Sequence, residues 1–143
     1  MFKRREGELL VLLSHPGGPF WKNRDAGAWT IPKGELEVDE EPAAAALREF
    51  EEEMGTSPGE LLSPLGDITQ KGGKRVIAFA VEGEFDVASL RSNTFEMEWP
   101  PRSGRKESFP EVDRAQWMTI VQARAKILPS QIELLQRLVD LTR

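Results

Sequence analysis

Apolar and polar positions along this chain follow two periods, and the change from one to the other marks its elements. Residues 8–13 (Glu-Leu-Leu-Val-Leu-Leu) form a short, nearly continuous apolar run, the pattern of a buried strand. His15-Pro16-Gly17-Gly18-Pro19 then breaks the chain. Residues 20–34 read as a loop with a short extended piece at 29–31, ahead of the pre-proline restriction at Pro32. Over residues 41–54 the period becomes helical. Ala43, Leu47, Phe50 and Met54 recur at spacings of four, three and four, which gathers them into one apolar stripe. Pro42 suits the first turn, acids crowd the N-terminal end and Gly55 supplies the stop. Residues 74–81 predict a strand apolar on both faces, and residues 114–120 another around Trp117 and Met118. A final amphipathic helix is expected over 130–141, with Ile132, Leu135 and Val139 as its stripe. Residues 90–113 mix aromatics, bases and prolines without a clean period and read as a long loop. Strands interleaved with two helices predict an α/β or α+β layered domain.

Composition narrows the class. At 143 residues and 16.1 kDa the chain fits one domain over residues 1–143. Hydrophobic residues at 39% and charged residues at 30% give a globular balance rather than a disordered one. No apolar run approaches the roughly 18 residues of a membrane span, and the Met1-Phe2-Lys3-Arg4-Arg5-Glu6 start lacks a signal-peptide core. The expectation is a soluble cytoplasmic protein with no membrane partner. The absence of cysteine excludes a disulfide framework, a thiolate metal site and a cysteine nucleophile.

The net charge of −5 hides a strong asymmetry. Residues 35–53 hold nine acids and one base, a local −8, which leaves fifteen acids and eighteen bases elsewhere, a balance of +3. That distribution argues against a nucleic-acid partner, which calls for Lys and Arg gathered on one face. A dense carboxylate strip beside basic residues suits divalent cations carrying a phosphorylated small molecule; on charge alone, a solvated acidic helix face fits as well.

Within the predicted helix, Glu49, Glu52 and Glu53 stand at i, i+3 and i+4, so the three carboxylates share one side. Like charges at that spacing repel, and a bound Mg²⁺ or Mn²⁺ would neutralise them, since hard cations take oxygen ligands. Arg48 beside them can hold a carboxylate by a charge-assisted hydrogen bond. Gly34 ends a Pro-Lys-Gly turn where backbone can approach a ligand closely.

Read together, Gly34, five residues, Glu40, seven residues, then Arg48-Glu49-Phe50-Glu51-Glu52-Glu53-Met54-Gly55-Thr56 resembles the Nudix box. Seven fixed positions match: Gly34, Glu40, Arg48, Glu49, Glu52, Glu53 and Gly55. With background frequencies of roughly one in fifteen per position, chance agreement is on the order of 10⁻⁸ per starting point. Thr56 departs from the aliphatic residue usual there. The resemblance implies a Nudix-type α/β/α sandwich around a mixed sheet. It also implies hydrolysis of a pyrophosphate bond in a nucleoside diphosphate linked to another group, with Mg²⁺ or Mn²⁺ as cofactor. It makes Glu49, Glu52 and Glu53 the metal-site carboxylates and the Gly34 carbonyl a further ligand. Arg48 would orient a glutamate and Glu40 would hold the loop. The family often recruits another glutamate ahead of a late strand; Glu111 is the first candidate here and Glu107 the second. Family members usually carry a full strand ahead of residues 9–13, for which only residues 1–5 are available, so that strand is either clipped or continued upstream.

Substrate class follows from the flanks. Trp29-Thr30-Ile31-Pro32-Lys33-Gly34 resembles the lead into the box of diadenosine-polyphosphate and diphosphoinositol-polyphosphate hydrolases. Segments 15–21 and 92–100 look like a group of small bacterial Nudix proteins described as nucleoside-triphosphate pyrophosphohydrolases. Lys33 would then meet a phosphate. Lys71, Lys74 and Arg75 around Gly72-Gly73 form a cationic turn that either contacts polyphosphate or is a plain solvated turn. Trp21, Trp29, Phe95 and Trp99 are candidates for stacking on a base or for core packing. His15, the only histidine, is either a turn residue or a substrate contact. The chain has no tyrosine, so the tyrosine that some dinucleoside-polyphosphate hydrolases carry beyond the box is absent. The expected reaction is metal-dependent hydrolysis of a nucleoside polyphosphate, either a triphosphate or a dinucleoside polyphosphate such as diadenosine tetraphosphate. The alternatives are a diphosphoinositol polyphosphate as substrate, a non-catalytic Nudix-fold nucleotide-binding module, and an interaction protein in which 35–55 is simply an acidic helix. Sequence leaves the oligomeric state open.

Overall fold

A computed structural model describes residues 1–33, 39–59 and 62–143. In chain order its elements are β1 (Phe2–Arg5), β2 (Glu8–Pro16), α1 (Pro42–Met54), β3 (Ser63–Thr69) and β4 (Arg75–Ala80). There follow β5 (Thr94–Glu98), β6 (Lys106–Pro110), β7 (Val112–Thr119), α2 (Ile120–Lys126) and α3 (Ile132–Leu141), with short 3₁₀ turns at Val87–Ser89 and Pro129–Gln131. β2 is the centre of an antiparallel sheet ordered β1-β2-β7. The β1–β2 turn places Glu6 and Gly7 at φ 52° and 81°, the pair of positive values that a two-residue hairpin of matching twist requires. A second hairpin, β3–β4, joins β1 through a parallel bridge: Phe2 N–H donates to the Val81 carbonyl at 2.9 Å and Gly83 N–H to the Phe2 carbonyl at 3.0 Å. The result is a mixed sheet.

Strand alternation sorts the core onto two faces. Leu12 points to one side, where it meets Phe50 and Met54 of α1 with Phe85 and Ala115. Val11 and Leu13 point to the other, against Met118, Ala123, Ile127, Leu135 and Leu138. Leu134 of α3 closes over Ile68, Val76 and Ala78 of the β3–β4 hairpin. Helices therefore cover both sides, an α/β/α arrangement in a single domain. No helix among the described residues is long and apolar enough to cross a membrane.

Several local expectations change. Strand β2 does not stop at residue 13; it runs through His15 to Pro16, because the His15 side chain is buried and hydrogen-bonded inside. The 90–113 stretch is a hairpin, β5–β6, and not a loop. A period of two was present there in Phe95, Met97 and Trp99, obscured by the basic, proline-containing turn between the strands. In α1, Ala45 is buried with Phe50 and Met54 while Ala43 and Leu47 are half-buried, and the acids precede the helix without entering its first turn. In α3 the buried stripe is Leu134, Leu135 and Leu138; Ile132 is exposed and Val139 half-buried. Strand β4 buries Val76, Ala78 and Ala80, while Ile77 and Phe79 are only half-buried. Residues 2–5 do form a strand, β1. Two elements carry little signal of their own: β3, with Pro64 and Gly66 inside it, and the seven-residue α2, which relies on a Thr119–Gln122 capping box.

Candidate active site

The C-terminal half of α1 is where chemistry can gather. Gly55 ends the helix at φ 90°, and a side chain there would collide with Arg91, whose Cβ and carbonyl oxygen lie 2.7 Å from an added Cβ. That close approach lets residues 91–93 satisfy the helix's last carbonyls: Arg91 N–H donates to Met54 O at 3.1 Å and Asn93 N–H to Glu52 O at 2.8 Å. The same strap reaches the start of β7. Glu111 N–H donates to Asn93 O at 2.8 Å, and Gly17 N–H donates to Glu111 O at 3.0 Å. Glu111, sixty residues away in sequence, is thereby held beside α1.

Arg48 organises the acids on the helix. Its Nε and Nη2 donate to Glu40 Oε2 and Oε1 at 2.7 and 2.9 Å, a bidentate pair. Nη1 donates to Glu49 Oε1 at 2.8 Å and to Glu52 Oε2 at 3.2 Å. Glu53 points the other way, its Oε2 accepting the Lys33 backbone N–H at 3.0 Å. Burial pushes the Glu53 carboxyl up to about 8 against the pull of the Lys33 amide and ammonium, and the charges of Glu49 and Glu111 add to the rise. The Glu111 carboxyl is also raised, chiefly by partial desolvation although the residue as a whole is exposed, and then by Glu49 and Glu52. Glu49, Glu52, Glu53 and Glu111 thus share one electrostatic neighbourhood with more negative charge than Arg48 and Lys33 offset.

The donor chemistry fits a hard divalent cation: every side-chain donor is a carboxylate oxygen, and burial, then like-charge crowding, raises two of the carboxyls. Among the described residues no three His, Asp or Glu side chains converge closely enough to hold one ion. Arg48 accounts for this by drawing Glu49 and Glu52 toward itself. Gly34 lies outside the described residues, so its expected carbonyl ligand does too.

Other residues singled out by sequence fall in different places. His15 is fully buried; Nε2 donates to the Arg24 carbonyl at 2.6 Å and Nδ1 stands 2.8 Å from Asp113 Oδ1. It lies inside strand β2 and not in a turn. Trp29 is in the core, with Nε1 donating to Asp25 Oδ1 at 2.8 Å and the Arg114 guanidinium over its ring, so neither face is open for stacking. Phe95 packs on Phe109, Trp99 meets Phe20 edge-on, and the Arg24 guanidinium lies over Trp21. Glu107 is exposed on β6 opposite Met97. Lys71 is exposed on the β3–β4 turn, which Gln70 and Lys74 close with a 2.7 Å hydrogen bond. A cavity of about 320 Å³ opens between α1 and β4; Lys33, Lys74, Arg75 and Glu49 line it along with Phe50, Ile77 and Phe79.

Two features escaped the sequence reading. The strap joins Glu52 to Glu111 through the backbone of Asn93, which leaves no signature in side chains. Gln131 is fully buried, with Oε1 accepting the Ile31 N–H at 3.1 Å and Nε2 donating to Gln70 Oε1 at 3.0 Å. It ties the segment leading to Lys33 to the β3–β4 turn. A glutamine just before the apolar face of α3 was its sole trace.

Fold and site together define a small α/β/α domain that presents an arginine-bridged glutamate cluster at the end of a helix. The chain belongs to the NUDIX domain family, which it matches over residues 1–138. It is 44% identical over 62 residues to an RNA pyrophosphohydrolase of Acidiphilium cryptum, covering 43% of this chain and 35% of that protein. It is 36% identical over 53 residues to an RNA pyrophosphohydrolase of Alkalilimnicola ehrlichii, covering 36% and 29%. The matched stretches span about a third of those curated relatives. Among solved structures, a Caenorhabditis elegans Ap4A hydrolase in a binary complex superposes with TM-score 0.67 at 19% identity, covering 99% of this chain and 92% of the other. The NUDIX domain of Shewanella oneidensis NrtR complexed with ADP ribose also gives 0.67, at 15% identity, covering 99% and 83%. These structural likenesses carry the fold.

Proposed function

We propose that this protein is an enzyme, a divalent-metal-dependent Nudix pyrophosphohydrolase that cleaves a nucleoside polyphosphate. One observation carries the reading: four glutamates from two separate segments share a neighbourhood in which burial and mutual repulsion raise Glu53 and Glu111. A purely structural acidic face has no use for that arrangement, since it destabilises the metal-free fold.

Glu49, Glu52 and Glu53 would hold the ion, with Mg²⁺ or Mn²⁺ fitting the all-oxygen set. Bound there, a divalent cation supplies positive charge to the phosphate oxygens and acidity to water at the site. Arg48 limits the rotamers of Glu49 and Glu52 and keeps them close to one another. Glu111, tethered to the strap through its amide, lies close enough to Glu49 and Glu52 to feel their charge, and its raised pKa suits it to take a proton from the attacking water. As the water oxygen bonds to phosphorus, the proton passes to the Glu111 carboxylate and the bridging P–O bond breaks toward the departing phosphate. Lys33, Lys74 and Arg75 at the cavity put cations within the same depression as Glu49, and Lys71 adds charge at its rim. His15 and Trp29 take no part in substrate contact under this reading.

A nucleotide substrate is supported by the names of the similar proteins, which include RNA pyrophosphohydrolases, an Ap4A hydrolase and a domain complexed with ADP ribose. Triphosphates and dinucleoside polyphosphates such as diadenosine tetraphosphate are the first substrates to try. The reading extends to a cytoplasmic setting, consistent with a small-molecule nucleotide substrate. The test is release of phosphate and pyrophosphate from a panel of triphosphates, dinucleoside polyphosphates, nucleotide sugars and a diphosphoinositol phosphate, with Mg²⁺, Mn²⁺ and EDTA arms. The expected result is turnover of a nucleoside polyphosphate that EDTA abolishes. Turnover indifferent to EDTA, or none in any arm while metal binds, would contradict it.

A further inference from the structure

Glu111 occupies a weak point in the sheet. Pro110 before it has no N–H to donate, and after it the β2–β7 register jumps from Pro16↔Val112 to His15↔Arg114, leaving Asp113 as an extra residue in a bulge. The β2–β7 register therefore does not fix the direction of the Glu111 backbone. Gly17 N–H holds the Glu111 carbonyl at 3.0 Å, and the contacts that hold the Glu111 amide and the next one come from residues 93 and 92. Asn93 O accepts the Glu111 N–H at 2.8 Å, while Ser92 Oγ accepts the next amide, Val112 N–H, at 2.9 Å. The same hydroxyl donates to Asn93 O at 2.7 Å, so it closes a ring around the carbonyl that holds Glu111. On its other side the Asn93 peptide binds Glu52 O through its N–H at 2.8 Å. Asn93 thus bridges Glu52 on the helix to Glu111 between β6 and β7, and the Ser92 side chain braces that bridge.

We propose that Ser92 is a positioning residue for catalysis: its hydroxyl accepts the Val112 amide and donates to the Asn93 carbonyl that holds the Glu111 amide, and so sets the Glu111 carboxylate against the glutamates of α1. The role needs a group that accepts and donates at once, which serine and threonine have and alanine lacks. Val112 is 4% exposed, so loss of the hydroxyl leaves a buried amide unpaired and lets the 110–113 bulge shift. A misplacement on the scale of an ångström is enough to slow a proton transfer severalfold to a hundredfold.

The inference rests on the reading of Glu111 as proton acceptor, and a four-cornered comparison separates the two. Steady-state kinetics with saturating Mn²⁺ on the best nucleotide of the panel would be measured for wild type, S92A, E111Q and S92A/E111Q, with S92T alongside. We expect E111Q to lose about 100-fold in kcat and S92A about 10-fold with KM within about twofold. S92T should recover most of the loss, and S92A should cost nothing further in the E111Q background. If E111Q keeps wild-type kcat, the reading of Glu111 fails. If E111Q is impaired but S92A matches wild type, or its loss multiplies fully with that of E111Q, Ser92 is not positioning Glu111 and the inference is overturned. Should S92A not fold, S92C takes its corner, the thiol being a weak donor and acceptor, and the same outcomes decide.

Discussion

His15 and Gln131 are more deeply buried than any glutamate described in the active-site cluster, yet they are chemically quiet. Each sits inside with all its polar atoms partnered, and no buried side-chain nitrogen or oxygen among the described residues lacks a hydrogen bond. The glutamates at the end of α1 are only partly buried and hydrogen-bonded, Glu49 and Glu52 through Arg48 and Glu53 through the Lys33 amide, but their charge is left over. Hydrogen-bond satisfaction and charge balance are separate conditions. A region that meets both is architecture, and one that meets only the first is where we propose that a cation binds.

The largest expected effect tests the second half of that contrast. E52Q or E53Q should lower kcat by about 1,000-fold with Tm unchanged or higher, because E52Q removes a repelling charge and E53Q a carboxyl that burial makes costly to ionise. H15A should do the reverse: it strips the partner from Asp113 and from the Arg24 carbonyl, costing about 3 kcal/mol and roughly 10 °C in Tm, while Mn²⁺ affinity persists. Mg²⁺ at about 100 times its Kd should add roughly 2.7 kcal/mol of stability, reversed by EDTA in a thermal scan. The pH dependence has a definite sign. Because Glu53 is raised to about 8 from an ordinary value of 4.5, the folded state holds a proton that the unfolded chain has released. Its contribution to stability is full below pH 4.5 and is lost as pH rises toward 8. Metal-free wild type should lose Tm relative to E53Q across that window. The smallest effect belongs to K71A on the exposed turn, with KM changed less than about twofold and Tm within about 1 °C.

How far the sequence could be read follows the same division. The elements whose side chains carry a sustained period, β2, β4, β7, α1 and α3, are visible in it, although the exact buried faces of both helices shift with their packing. The β5–β6 hairpin is hidden by its basic turn, β3 by Pro64 and Gly66, and α2 by its shortness. Glu49, Glu52 and Glu53 are legible because one helix fixes their spacing. His15 and Trp29 look reactive by residue type, and only tertiary structure shows them enclosed. The strap from Glu52 through Asn93 to Glu111 is invisible because amides and carbonyls are the same at every position.

The central claim is that uncompensated carboxylates at the end of α1 bind a divalent cation, and calorimetric titration of Mn²⁺ at pH 7 tests it most directly. Titrations in two buffers of different ionisation enthalpy report the protons displaced along with the binding. With Glu53 raised to about 8, the account predicts release of close to one proton per ion by wild type and almost none by E53Q, which should also bind more weakly. No Mn²⁺ binding, or equal affinity and equal proton release in the two proteins, would contradict it.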